Sequence, residues 1–375
     1  MAQTSLPDLE TVVIGGGAIG LAVARALAMA GQELTLLEQH GGLGQETSSR
    51  NSGVIHAGIY YPPGSLRARF CVDGKRLLYA FLEQHGVPHR RLGKLLVATS
   101  EADLPKLAQY AATARRNCVN DVQTLTSAEA RALEPEVRCA GALLSPSTGL
   151  IDAPAFAMAL AGEAEAHGAQ VLLRNKVHEI HRSGDGLISL SLADGATFTC
   201  RNLVVAAGLG ASELAATMTF PGQYRPPRTY YARGRWYALK GKSPFQRLIY
   251  PMPHGSWLGT HSTLDMAGRC KFGPDIDWID NIDYRFDESA EAAFYAAIRA
   301  YWPALPDGAL TPDSTGIRPK LSRQGEPVAD FAIHGPKEHG VPGLVMLFGI
   351  ESPGLTASLA IAEHVRGMLT GAAGA

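Results

Sequence analysis

Residues 11–38, TVVIGGGAIGLAVARALAMAGQELTLLE, decide the fold. The apolar run Thr11 to Ile14 reads as a strand, the glycines as a turn, the residues from Ala18 onward as a helix, and Leu34 to Leu37 as a second strand closing on Glu38. Each residue type has a physical task. Gly15 permits the tight turn off the first strand, Gly17 lets backbone approach a pyrophosphate, and Gly20 lets the helix pack close on the strand. Ala18 and Ile19 stand in the first helical turn, where unpaired N–H groups and the helix dipole favour an anion. Glu38, with Gln39 beside it, is placed to accept hydrogen bonds from a ribose diol. The stretch therefore predicts a βαβ unit that binds an adenine dinucleotide, without separating FAD from NAD.

The rest of the chain fits a folded α/β protein. With 375 residues, 46% hydrophobic, 18% charged and 41 glycines, it is long enough for a large core and for about two domains. A net charge of −1 with no basic block speaks against a nucleic-acid surface, and Arg90–Arg91 reads as solvated charge. Cysteines at 71, 118, 139, 200 and 270 include no CxxC pair, so neither a zinc site nor a disulfide framework is expected and a reducing cytoplasm fits. The apolar stretch Val12 to Ala30 lacks a basic leader, because Asp8 and Glu10 precede it, and Arg25 interrupts it. We therefore expect no signal peptide and no integral membrane segment, with peripheral membrane contact left open.

Beyond the first unit, regular βα repeats do not continue, which argues against a plain nicotinamide-type domain. Helices are expected over Leu66 to His85, Leu104 to Asn117, Asp152 to about His167 (Asp cap, Pro154 in the first turn), Ala290 to Tyr301 and Ala357 to Met368. Strands are expected over Lys94 to Thr99, Ala169 to Asn175, Val177 to Arg182 and Leu344 to Phe348, with a hairpin-like pair from Gly186 to Arg201 around Asp194-Gly195. Asn202 to Gly208 reads as a separate buried strand ending in small residues, and Tyr230 to Phe272 as an antiparallel sheet.

Three further stretches carry a resemblance. They are ETSSRNSGVIHAGIYY at 46–61 with Pro62, Gly64, Ser65 and Leu66; IYPMP at 249–253 with LGTHST at 258–263 and FGP at 272–274; and GIRPKL at 316–321 with Phe331 and FGIESPGLT at 348–356. In these the chain resembles the D-amino-acid oxidase-like superfamily of FAD enzymes, and within it the L-2-hydroxyglutarate dehydrogenase (oxidase) family, over nearly its whole length. It is shorter and more divergent around Leu92 to Arg138. The resemblance implies an α/β (α+β overall) fold, with a discontinuous Rossmann-like FAD-binding domain at 1–76, 144–218 and 313–375. An antiparallel-sheet substrate-binding domain would occupy 77–143 and 219–312.

It also implies roles. Thr47, Ser48, Ser49, Arg50, Asn51 and Ser52 become a flavin-contacting loop, as their hydroxyls and N–H groups allow. Val177 would hold the adenine through backbone, and Ala207 and Gly208 would line the pyrophosphate. Gly354, Leu355 and Thr356, ahead of the last helix, would place N–H groups near the flavin pyrimidine and stabilise its anionic reduced form. FAD is expected to bind non-covalently.

Oxidising a 2-hydroxy acid needs a proton acceptor, a cation for the carboxylate, and a carbon held at flavin N5. His56 is the favoured base, with His261 as base or substrate anchor. Arg318 is the expected carboxylate clamp, because its planar fork binds a carboxylate bidentately, with Lys320 and Tyr250 as weaker candidates for a distal carboxylate. The expected reaction is L-2-hydroxyglutarate to 2-oxoglutarate; an amine, amino-acid or glycerol-3-phosphate oxidising enzyme on the same fold is the alternative. Oxygen, a quinone or an electron-transfer protein all remain open as acceptor.

Overall fold

The computed structural model describes residues 6–252 and 259–371. Pro253 and Leu258 of the second matching stretch lie outside the described residues. The chain forms two compact units: one of 1–49, 153–230 and 319–375, the other of 50–152 and 231–318. Residues 50–76 and 144–152, expected with the FAD-binding segments, thus pack with the second unit.

The first unit is built on one eight-stranded sheet. Four parallel pairings order its centre: Gln170–Leu173 on Leu34–Glu38, then Leu9–Ile14, then Thr197–Val205, then Leu344–Phe348. These strands are near-continuous apolar runs because helices cover both faces. Val12, Val13, Leu36, Val204 and Val345 are fully buried. The helix Ala18–Met29 packs on both Ala153–Ala166 and Gly354–Thr370. The antiparallel strands Val177–Arg182 and Ile188–Leu192 add a hairpin edge. Two expectations change. The hairpin's second strand and the buried strand after it are one strand, Thr197–Val205, whose first half pairs antiparallel and whose second half pairs parallel. The last helix begins at Gly354, so Gly354, Leu355 and Thr356 form its first turn.

The second unit holds a nine-stranded sheet, mostly antiparallel. Leu248–Pro251 instead pairs parallel with Lys94–Ala98, in the register Leu248 to Lys94 and Tyr250 to Leu96. A small three-stranded sheet joins Val54–Ile55, Gly149–Ile151 and His89–Arg90. The helix Leu66–Gln84 is capped by Ser65, whose Oγ accepts the Ala68 N–H at 3.1 Å. Two elements were not anticipated in the divergent middle: the strand Gln123–Thr126 and the helix Ser127–Leu133. Residues 141–151 form the strands Gly141–Ser145 and Gly149–Ile151. No helix among the described residues is long and apolar enough to cross a membrane.

Candidate functional site

In the first unit, the carboxyl ends of parallel strands and the starts of two helices come together, the usual place for a ligand in an open α/β sheet. Gly15 has φ +111°, and a Cβ there would stand 2.4 Å from the Ala206 carbonyl oxygen. A Cβ on Gly20 would stand 1.9 Å from the Gly15 carbonyl oxygen, so strand and helix can touch only without side chains. At Gly17 such an atom would meet only Ser48 Oγ, at 3.0 Å. Gly17 is the N-cap of Ala18–Met29 and offers no side-chain cap. Ser48 Oγ instead accepts the Ala18 N–H at 2.9 Å, which fixes the loop after Glu38 against the helix start. Gly354 begins the neighbouring helix, with Ile19 Cδ1 at 4.0 Å from its Cβ position.

Glu38 is buried at the end of its strand, where Oε2 accepts the Gly16 N–H at 2.6 Å and Oε1 the His40 N–H at 2.7 Å. Both bonds orient a carboxylate that retains further lone pairs for a diol. Gln39 Nε2 donates to Glu46 at 3.3 Å. Val177 is buried at the head of its strand. Ala207 and Gly208 follow the end of the strand Thr197–Val205, and the Cβ position of Gly208 faces open space. These glycines, the helix start at Gly17 and the oriented acid suit a dinucleotide.

The loop at 47–52 divides. Thr47, Ser48 and Ser49 belong to the first unit, and Arg50, Asn51 and Ser52 to the second. There the Arg50 guanidinium lies over the Tyr284 ring at 4.3 Å, Asn51 Oδ1 accepts the Gly53 N–H at 2.7 Å, and Ser52 Oγ accepts Trp236 Nε1–H at 3.0 Å. Lys320 sits in the first unit, and its Nζ donates to Glu351 at 2.8 Å, a largely buried ion pair that already engages its charge.

The second unit gathers the other polar candidates. His56 follows the short strand Val54–Ile55, and the segment around it is pinned from three sides. Cys71 Sγ donates to the His56 carbonyl at 3.5 Å, and Asn117 Nδ2 donates to the carbonyls of Gly58 at 3.0 Å and Tyr61 at 2.8 Å. The Tyr60 Oη accepts from Lys94 Nζ at 2.6 Å. Ile249 pairs with Ser262, which sets Tyr250 opposite His261; their rings stack with centroids 3.6 Å apart and planes 8° from parallel. Lys94 Nζ also lies 4.7 Å from the Tyr60 ring centre and 4.6 Å from that of Tyr250. The chain thus brings His56, Tyr60, Lys94, Tyr250 and His261 together from four separate stretches.

Burial, and then the positive charges of Lys94 and His261, hold the His56 imidazole well below its ordinary pKa. Burial also lowers Lys94 to about 7 and raises the Tyr60 and Tyr250 phenols. A histidine kept neutral beside a weakly basic lysine can accept a proton, and phenols kept protonated can donate hydrogen bonds. Arg318, in the same unit, directs Nη1 and Nη2 at the Asp275 carbonyl, both at 3.1 Å. Asp275 is itself held by the buried Arg235 through a 2.6 Å contact, so the plane of the Arg318 fork is fixed. Lys94 escaped the sequence reading, because a lysine opening the apolar run LLVA looks like a solvated strand end.

Comparison with known proteins agrees with this geometry. Residues 10–368 match the model of the family described as FAD dependent oxidoreductase. The mitochondrial L-2-hydroxyglutarate dehydrogenase of Arabidopsis thaliana is 43% identical, over 95% of this chain and 82% of that protein. The Homo sapiens protein of the same name is 28% identical over 97% and 89%. Among solved structures, the L-alpha-glycerophosphate oxidase of Mycoplasma pneumoniae with FAD bound superposes with a TM-score of 0.86 at 27% identity, covering 96% of this chain and 94% of that one. A glycine oxidase from Geobacillus kaustophilus, at 22% identity and TM-score 0.80, shares the fold. With a glycine cradle shaped for a dinucleotide and a family match that spans nearly its whole length, the chain belongs to the FAD-dependent oxidoreductase family, with FAD as its cofactor.

Proposed function

We propose that the protein oxidises L-2-hydroxyglutarate to 2-oxoglutarate, with the first unit binding FAD and the second supplying the groups that handle substrate. The observation that carries this reading is the 43% identity to an L-2-hydroxyglutarate dehydrogenase over nearly the whole chain. The histidine cluster and the fixed Arg318 fork support it. Gly15, Gly17, Gly20, Glu38, Ser48 and the helix start at Gly354 would hold the cofactor. When bound, FAD supplies a two-electron hydride acceptor.

The protein's own share is proton handling and orientation. As C2 gives up its hydride, the hydroxyl proton passes to the imidazole of His56, leaving the C2 carbonyl of the oxo acid. A positioned base of this kind contributes roughly 10²- to 10⁴-fold. Arg318 would pair with the C1 carboxylate, and the stacked Tyr250–His261 pair would face the remainder of the substrate. Lys320, engaged by Glu351, is the weakest of the proposed substrate groups. We place the protein in a reducing cytoplasm, on the ground that Cys71, Cys118, Cys139, Cys200 and Cys270 are all free thiols. The acceptor that reoxidises the flavin is oxygen, a quinone or an electron-transfer protein.

The test is the visible spectrum of the purified protein under anaerobic addition of L-2-hydroxyglutarate, with the D enantiomer, L-lactate, glycine and glycerol 3-phosphate in parallel. Bleaching of the flavin band by the L enantiomer alone is the expected result. Bleaching by glycerol 3-phosphate or an amine instead would move the protein to the chemistry named for its solved neighbours.

A further inference from the structure

One buried group is left unused by this mechanism. Lys94 is 0% exposed, at the head of Lys94–Ala98, where an ammonium ordinarily needs a carboxylate partner. Among the described residues no carboxylate lies within ion-pair distance of it. Its contacts are the Tyr60 hydroxyl at 2.6 Å and the faces of Tyr60 and Tyr250. Tyr60 belongs to the same pinned segment as His56, and Tyr250 stacks on His261. Lys94 is therefore the node that joins the two histidine-bearing segments.

We propose that Lys94 is a positioning residue for the base: acting from behind Tyr60 and Tyr250, without touching substrate, its buried ammonium sets the protonation state of His56. The inference rests on reading His56 as the base. Besides Lys94, the cluster holds four other titratable groups: Tyr60 on the His56 segment, Cys71 on the helix Leu66–Gln84, whose Sγ meets the His56 carbonyl, Tyr250 on its strand, and His261. Burial pushes Cys71 up to about 12 and both tyrosines above their ordinary values, so all three are neutral wherever a histidine titrates. Lys94 and His261 are left as the charges that act on His56. With Lys94 at about 7, its ammonium is present throughout the more acidic range in which His56 takes its proton. The sign follows: the charge opposes protonation, lowers the His56 midpoint, and keeps the base active at pH values where a solvated histidine is already protonated.

The experiment is an NMR titration of the imidazole signals of the flavin-loaded enzyme, with the His56 resonance assigned by its loss in His56→Gln. Wild type, Lys94→Met and Lys94→Arg are compared, and the acid limb of flavin reduction is followed in parallel. Lys94→Met is expected to raise the His56 midpoint by about one pH unit, a tenfold change in proton affinity. Its acid limb moves with it, and Lys94→Arg restores the low midpoint. One common midpoint in all three proteins overturns the proposal. Should Lys94→Met fail to fold, Tyr60→Phe removes the acceptor that holds the ammonium; a smaller rise of the same sign is expected, and an unchanged midpoint overturns the proposal equally. If His56→Gln reduces flavin at the wild-type rate, the assignment of the base fails, while the midpoint comparison still decides whether Lys94 governs His56.

Discussion

The glycine cradle of the first unit and the lysine–tyrosine–histidine cluster of the second solve different problems with different materials. The cradle is made of backbone. Its recognition groups are N–H groups and a carboxylate oriented by N–H groups, and its geometry is set by what Gly15 and Gly20 lack. The cluster is made of side chains from stretches near 56, 94, 250 and 261, and depends on strand register for its assembly. A backbone site tolerates no added atom at its closest approaches, whereas a side-chain site tolerates conservative replacement but loses chemistry with each functional group.

That contrast is most easily broken at Gly20. A Cβ 1.9 Å from the Gly15 carbonyl oxygen cannot be accommodated without moving strand or helix. Gly20→Ala should lower flavin content more than tenfold, read as the ratio of flavin to protein absorbance in protein that retains its circular dichroism. Full flavin content in that variant would show the cradle to be more plastic than its geometry implies.

His56→Gln is the counterpart in the cluster. It should leave flavin content intact and slow flavin reduction at saturating substrate by roughly 10²-fold or more, measured by anaerobic stopped flow. Loss of flavin instead would make His56 part of the cofactor's support.

Arg318→Ala should raise KM by about ten- to a hundredfold, the cost of roughly one or two charge-assisted hydrogen bonds, with little change in flavin content. An unchanged KM would reassign Arg318 to holding the Asp275 loop.

The smallest effect on activity is expected at Lys320. Lys320→Met leaves the buried Glu351 carboxylate without its cation and should cost about 3 kcal/mol of stability in denaturant titration, with KM unchanged. A rise in KM with stability preserved would return Lys320 to the substrate.

Local signals made much of this legible. The βαβ unit, the helix after Ser65 and the hairpin at Asp194-Gly195 each declare themselves in short stretches through periodicity, capping and turn residues. The helix Ser127–Leu133 was legible too, because Thr126 and Glu129 form a capping box, with the Glu129 carboxylate accepting the Thr126 N–H at 2.8 Å. A divergent context obscured it. The fused strand Thr197–Val205 was read as two because its pairing changes from antiparallel to parallel midway, and nothing in an apolar run reports its neighbours.

By itself, then, the sequence determined the dinucleotide unit, which depends on residue type at short spacing, while the FAD enzyme family, and His56, His261 and Arg318 as its candidates, came from the resemblance that the three longer stretches carry. Only the tertiary structure decided that Lys320 is tied to Glu351 and that Lys94 lies buried between Tyr60 and Tyr250. A lysine's environment depends on which distant strand covers it. Here the parallel pairing of Leu248–Pro251 with Lys94–Ala98 does so, at a cost in desolvation that no local pattern encodes.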